Sequence, residues 1–376
     1  MPMFRSRRLA SLLCATALLA GGSAHAVDYR IETLTEGLQY PWSLAFLPDG
    51  RMLVTERVGR LRLIEADGTL QAEPVPGAPS GYQDVQAGLM DVALDPEFDR
   101  TSWVYLTYAY GRKQANNTRL ARGTLVDGRL EDVQTLFSAH PAKAGGSHFG
   151  GRIAFLPDKT LVLTLGDGFD YREEAQNLDN HLGKLVRLTR EGTAPEDNPF
   201  YGRTGMANEV YSYGHRNVQG IAYDRQNQRL YINEHGPRGG DEINLIQAGR
   251  NYGWPLVSFG VDYTGAQITP YQNLPDTEPP LLHWTPSIAP SALAIYDGTL
   301  FPEWQGDLFS AALAAKQVRR VRLADGEVVE QEALFEELGE RIRDVRVGPD
   351  GALYLLTDSA EGRLLKVTPA EQPESE

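Results

Sequence analysis

Between two pairs of glycines, residues 145–151 hold a single histidine, His148. Glycine lets a backbone come close to a ligand. An unperturbed imidazole titrates near working pH, so His148 suits a general base. A turn histidine that bonds only to backbone would leave the same trace. Asp167, just past the apolar run 160–165, could accept the second ring N–H and fix the tautomer. A lone Gly-Asp-Gly is also an ordinary turn.

A second cluster, 213–220, carries His215, Arg216 and Asn217. An Arg-Asn pair at a strand end offers forked and amide donors that grip carboxylates or quinone oxygens; a surface ion pair is the plainer reading. Further cations stand at Lys316, Arg341 and Arg343, the last two spaced to face one side of an extended segment. Gathered toward one axis they would suit a polyanionic ligand, whereas each taken singly is a solvated side chain. The third cluster runs over 233–244 and resumes at 250–255. Its carboxylates, amide oxygens and Gly or Pro carbonyls on an irregular loop are what a hard cation such as calcium takes. The spacing is not that of an EF-hand, and an acidic turn with Glu242 solvated fits equally. There is no G-x-G-x-x-G, Walker loop, H-E-x-x-H or G-x-S-x-G, so nicotinamide, phosphoryl-transfer and serine-hydrolase chemistries lose their usual support.

The 376 residues carry a formal net charge of -14. Arg5, Arg7 and Arg8 precede an apolar run from Leu9 to Ala20 that is too short to cross a bilayer. Ala24, His25 and Ala26 supply small residues near a cleavage position, so 1–26 reads as a secretion signal and the mature chain as periplasmic or secreted. The residues after Arg7 and Arg8 fit a twin-arginine pattern poorly, which favours general export. The signal holds three arginines and no acid, so its removal takes the charge from -14 to -17. A chain this acidic is not a general nucleic-acid binder. The one cysteine, Cys14, lies inside the signal. Stability must therefore come from a core, for which about 350 residues are ample. No second apolar stretch has the length of a membrane span.

These loops need a scaffold, and helical periodicity is scarce. Short apolar runs bounded by Gly, Pro, Asp and Asn recur from Ile31 to Val367, an all-β pattern. The clearest strand pairs are 51–55 with 61–64, 160–165 with 185–188, and 352–357 with 363–367. Each opens after a Pro-Asp or Asp-Gly turn, at 47–50, 156–158 and 348–351. Weaker copies stand at 94–96, 223–225 and 302–307. Six units of about 58 residues each predict a single six-bladed β-propeller over 27–367, each blade a four-stranded antiparallel sheet with room for inserted loops. The loops 142–151, 167–182, 192–208 and 235–286 should share one face. A sandwich or barrel is the alternative, but neither explains turns recurring in register. The acidic, Pro-containing tail 368–376 reads as disordered.

In fixed order the chain carries GLQYPWSLAFLPDG, QAGLMDVALDPEF, GGSHFGGRIAF, GHRNVQG, NEHGPRGGDEINLIQAGRNYGWP, SIAPSALAIYDG and RIRDV. From about Glu36 to Val367 it resembles the soluble quinoprotein glucose dehydrogenases, most closely their aldose sugar dehydrogenase branch. The resemblance implies a six-bladed propeller that binds pyrroloquinoline quinone (PQQ) at its axis through Gln86, Arg216, Asn217, Tyr263, Lys316, Arg341 and Arg343. It implies a catalytic calcium on the carbonyls of Gly236 and Pro237. A second, structural calcium would sit on Glu242 and the Tyr252 backbone, with Asp241 as a further ligand. His148, oriented by Asp167, would take the proton of the anomeric hydroxyl while hydride passes to quinone C5, with calcium and Arg216 polarising the adjacent carbonyl. The product would be an aldonolactone, and electrons would leave singly to a cytochrome or dye.

At 283–290 the chain reads HWTPSIAP, close to the aldose branch and altered from the glucose enzyme. A broad range of aldoses is therefore expected, with Trp284 stacking on a sugar or filling the core. Loops shorter than those of the dimeric glucose enzyme imply a monomer. Two other classes stay open. A calcium-dependent propeller lactonase or hydrolase would work without quinone, and a non-enzymatic binding propeller would tolerate His148→Ala.

Overall fold

The computed structural model describes residues 27–370. The expected signal at 1–26 lies outside them, as do residues 371–376. Among the described residues no helix is long and apolar enough to cross a membrane. Six antiparallel sheets account for nearly all the regular structure. Their innermost strands are Pro41–Phe46, Leu89–Leu94, Ile153–Phe155, Val218–Asp224, Pro290–Ile295 and Ile342–Val347. These touch in ring order, and the last meets the first. The chain is a six-bladed β-propeller.

All six turn signals join an innermost strand to the next one out. In the first, Gly50 donates to the Leu47 carbonyl at 3.0 Å and takes φ +87°, a conformation glycine adopts without a Cβ penalty. The turn at 348–351 closes the same way.

Five blades have four strands; the first, residues 41–64, has three. Its outer edge is followed by 70–75, where the Gln71 and Val75 amides still reach the Leu63 and Leu61 carbonyls. Pro74, Pro76 and Pro79 have no N–H for a ladder, so no fourth strand forms there.

The ring closes through Tyr29–Leu38, which is the outermost strand of the last blade and pairs with Gly362–Pro369. This moves the expected start of the tail. Thr368 and Pro369 stand in register with Arg30 and Tyr29, and the Ala370 amide reaches the Asp28 carbonyl. The antiparallel partner Tyr29–Leu38 supplies the order that composition alone did not suggest.

Between neighbouring blades the sheets share apolar clusters. One joins Phe309, Val318 and Trp304 to Leu353, Leu355 and Val345. Each fully buried aliphatic side chain of this kind contributes roughly 1.5–3 kcal/mol. The core is thus divided into clusters, such as this one between two blades.

Segment 192–208, expected among the loops of the site, lies on the opposite face. It follows Arg190, which pairs with Asp95 in the turn at 95–102, and Arg187 ties Asp197 to Asp158 in the turn at 156–159. Alternate connections of a propeller blade emerge on opposite faces, and the length of an insertion does not say which.

The floor of the axis is closed by Arg152, 2% exposed. Its guanidinium donates to Asp344 Oδ1 at 2.8 Å, to the Gln219 carbonyl at 2.8 Å and to the Ser291 carbonyl at 2.6 Å. Asp91 lies 3.6 Å away, and the Trp42 ring packs at 4.0 Å. One side chain therefore meets residues from the innermost strands of all the other blades.

Candidate active site

His148 sits above this floor with φ +56°, a strained region for a residue with a Cβ. The flanking glycines make the strain possible. Gly150 and Gly151 also have positive φ, and a Cβ on Gly150 would stand 2.5 Å from the Thr164 carbonyl. A Cβ on Gly166 would stand 2.4 Å from the His148 carbonyl. The loop is thus laid backbone on backbone against the strand end that carries Asp167.

His148 Nδ1 lies 2.7 Å from Asp167 Oδ1, and its backbone amide donates to Gln86 Oε1 at 2.8 Å. Asp167 also accepts from the Phe169 amide and from Trp254 Nε1, both at 2.8 Å. Burial opposes ionisation of Asp167, but the bond from His148, with Arg216 nearby, holds its carboxyl below the usual range. Burial depresses His148, and Asp167 only partly restores it. The pair therefore reads as a neutral imidazole donating Nδ1–H to a carboxylate, which leaves the lone pair on Nε2. In the apoprotein His148 is expected to titrate below its ordinary value of about 6.5, and Asp167→Asn to lower it further, as followed by NMR of the ring protons. Because the folded value is the lower one, the unfolded chain takes up the proton first. This residue then costs stability as pH falls through about 6.5.

Two cavities flank the dyad. The axial funnel, about 250 Å³, is lined by Trp42, Arg57, Gln86, Phe149, Gln219, His235, Arg341 and Arg343. Arg341 and Arg343 both reach Asp358 Oδ2, at 3.1 and 3.3 Å, so they face one way as their spacing required. Arg343 is 6% exposed, and burial lowers it to about 10, which leaves it charged at neutral pH. Its Nε, and Nδ2 of the buried Asn217, have no hydrogen-bond partner. The second cavity, about 460 Å³, opens beside Phe169, Arg172, Arg216, Asp262 and Tyr263. Arg216 Nη1 donates to the Gly236 carbonyl at 2.6 Å, and Nη2 to the Tyr263 hydroxyl at 3.3 Å. Tyr263 is exposed and stacks against Phe169 with centroids 6.1 Å apart. Lys316 is exposed and lies outside both, in a rim cleft of about 740 Å³ that it shares with Arg341 and Asp358.

Gly236, Pro237, Glu242 and Tyr252 line one cavity of about 20 Å³ together with Glu234. Burial, with the nearby Glu234 charge, pushes the Glu242 carboxyl up to about 8. Among the described residues no three His, Cys, Asp or Glu side chains gather as metal ligands. Any cation here would rest on carbonyls and at most two carboxylates. Asp241, expected as a further ligand, spends its carboxylate elsewhere. Its Oδ2 accepts from the Ile288 and Ala289 amides and from Ser287 Oγ, which pins loop 285–289, and its Oδ1 accepts from the Gly236 amide. Trp284 is a core residue, packed with Ile243 and Leu293 and donating to Gln331 Oε1.

Sequence reasoning did not single out Arg57, Asp358, His235 or the indole of Trp254. Arg57 and Asp358 follow β-strands in otherwise ordinary turns, so only their convergence on the funnel marks them. His235 is held neutral: burial, reinforced by the Arg216 charge, pushes it down to about 3.

The model of the glucose/sorbosone dehydrogenase family matches residues 38–366. Aldose sugar dehydrogenase YliI of Escherichia coli is 42% identical, over 96% of this chain and 98% of that protein. The crystal structure of the soluble aldose sugar dehydrogenase from Escherichia coli in the apo form superposes with a TM-score of 0.88, covering 91% of this chain and all of that one. The PQQ-bound aldose sugar dehydrogenase from Streptomyces coelicolor is 29% identical with a TM-score of 0.75, covering 91% and 99%.

Proposed function

Because this chain belongs to the glucose/sorbosone dehydrogenase family, and is accordingly an oxidoreductase acting on sugars, we propose that it oxidises aldoses at the anomeric carbon to aldonolactones, using PQQ and calcium. The observation that carries this reading is the His148–Asp167 dyad beside a funnel walled by arginines, where Arg343 Nε and the neighbouring Asn217 Nδ2 are unmet donors.

PQQ is a flat tricarboxylate, and the residues present suit one. Arg57, Arg341 and Arg343 surround a single Asp358, so this part of the funnel has an excess of positive charge. Asn217 Nδ2 and Arg343 Nε are buried donors that a carboxylate or quinone oxygen would satisfy. The hard oxygens around the 20 Å³ cavity suit calcium. A cation there would also reverse the upward push on Glu242. We assign Gly236, Pro237, Glu242 and the Tyr252 backbone to calcium, and leave Asp241 to the loop it pins.

When bound, PQQ with its calcium supplies a two-electron hydride acceptor whose carbonyl is polarised. The protein supplies the rest. His148 Nε2 accepts the proton of the anomeric hydroxyl, so electron density at the anomeric carbon rises as the hydride leaves. Asp167 stabilises the imidazolium that forms and keeps Nδ1 as the donor. Arg216 places a positive charge where negative charge develops. Phe169 and Tyr263 present exposed rings at the cleft mouth on which a sugar ring can lie.

Purified apoprotein should be inactive toward sugars and become active when PQQ and calcium are added together, as followed with a redox dye across a panel of aldoses. Activity without PQQ would overturn the reading. The cations are expected to contribute unequally. Arg343→Ala should weaken PQQ binding by about 1.5–3 kcal/mol, because a buried charged hydrogen bond is lost. Lys316→Ala, at an exposed position, should cost less than about 1 kcal/mol. Both are measured by fluorescence titration of the apoprotein. A periplasmic monomer passing electrons to a cytochrome completes the proposal.

A further inference from the structure

Two of the groups that flank the His148 ring meet on one indole. The Trp254 N–H donates to Asp167 Oδ2 at 2.8 Å, from 87 positions along the chain. Its face carries the Arg216 guanidinium, with Cζ 5.3 Å from the ring centroid. Asp167 Oδ1 is already shared by His148 and the Phe169 amide, so the indole holds the second oxygen. Trp254 is 8% exposed and anchored by its own backbone: its N–H donates to the Gly214 carbonyl, and its carbonyl accepts from Gln176 Nε2. The terminal torsion of an aspartate is broad and roughly two-fold. A carboxylate held at one oxygen alone could turn about that bond, so that the His148 ring it orients would no longer keep a fixed place.

We propose that Trp254 is a positioning residue for sugar oxidation: its N–H locks the plane of Asp167 and its face holds Arg216, so that base and cation keep fixed places relative to each other. The inference rests on the dehydrogenase reading for its kinetic consequences only.

The charged and titratable groups facing His148 are Asp167, Arg216, Lys143 and His235. Asp167 is the one anion among these. Removing the indole donor would concentrate charge on the carboxylate, strengthen its hold on the protonated imidazole and raise the pKa of His148.

Trp254→Phe keeps a ring for Arg216 and removes the N–H. We expect kcat to fall about ten- to a hundredfold, with KM and PQQ affinity within about twofold. The acid limb of kcat/KM, and the NMR titration of His148 in the apoprotein, should both move upward. In an Asp167→Asn background the same change should cost less than about twofold, because the partner is gone. An equal loss in both backgrounds, or an unmoved His148 titration, would overturn the assignment. Should Trp254→Phe fold poorly, benzothienylalanine at position 254 keeps the bicyclic shape without the N–H and should give the same shifts. If the wild-type protein proves inactive with PQQ and calcium, the dehydrogenase reading falls, while the apoprotein titration still decides the role of Trp254.

Discussion

His148→Ala is expected to lower the rate of sugar oxidation by about 10² to 10⁴, the usual worth of a positioned general base, while PQQ affinity stays within about threefold. The two effects separate because His148 meets the funnel through its backbone as well as its ring. The amide bond to Gln86 Oε1 survives the substitution, so the wall of the funnel should keep its shape. What disappears is the imidazole that Asp167 backs. Alanine at φ +56° carries some backbone strain. His148→Asn, which tolerates that region better, should show the same loss of rate with less loss of stability. Single-turnover reduction of bound PQQ, set beside a fluorescence titration of PQQ, checks both halves. A rate within tenfold of wild type would remove His148 from the chemistry.

Arg152→Ala should destabilise the fold by about 3–5 kcal/mol, the range found when one partner of a buried ion pair is removed. Its guanidinium reaches Asp344 and, from other blades, the carbonyls of Gln219 and Ser291. Deletion leaves the Asp344 and Asp91 carboxylates buried with only Arg346 to balance them. Asp344→Ala should be similarly severe, and the double substitution less than additive, since the second removes a charge the first has stranded. Denaturant midpoints of the three variants measure this. A cost below about 1 kcal/mol for Arg152→Ala would place it with the surface ion pairs, whose worth lies in that range.

The scaffold and much of the dyad were legible in the sequence because both depend on local chemistry. Pro-Asp and Asp-Gly turns are set by residues adjacent in the chain; three such turns and three weaker copies recur in register, with short apolar runs between them. Glycines around His148 mark a backbone that packs closely against its neighbours, and that too is written within seven residues. The spacing of Arg341 and Arg343 predicted a common face, and they share one carboxylate.

What distance in sequence hides, ring closure decided. Tyr29–Leu38 completes the last blade because it pairs with Gly362–Pro369, more than 300 positions away, which the composition of 368–376 gave no sign of. The bond from Trp254 to Asp167 and the convergence of five blades on Arg152 each join residues tens of positions apart. Asp241 was expected only as a ligand, and the fold also gives its Oδ2 the task of holding loop 285–289. Lys316 looked like a partner of Arg343 until its turn carried it to the rim. Residue type and local spacing determine what a side chain is able to do. Which side chains stand within 3 Å of one another follows from how six twisted sheets pack around one axis, and no local pattern encodes that.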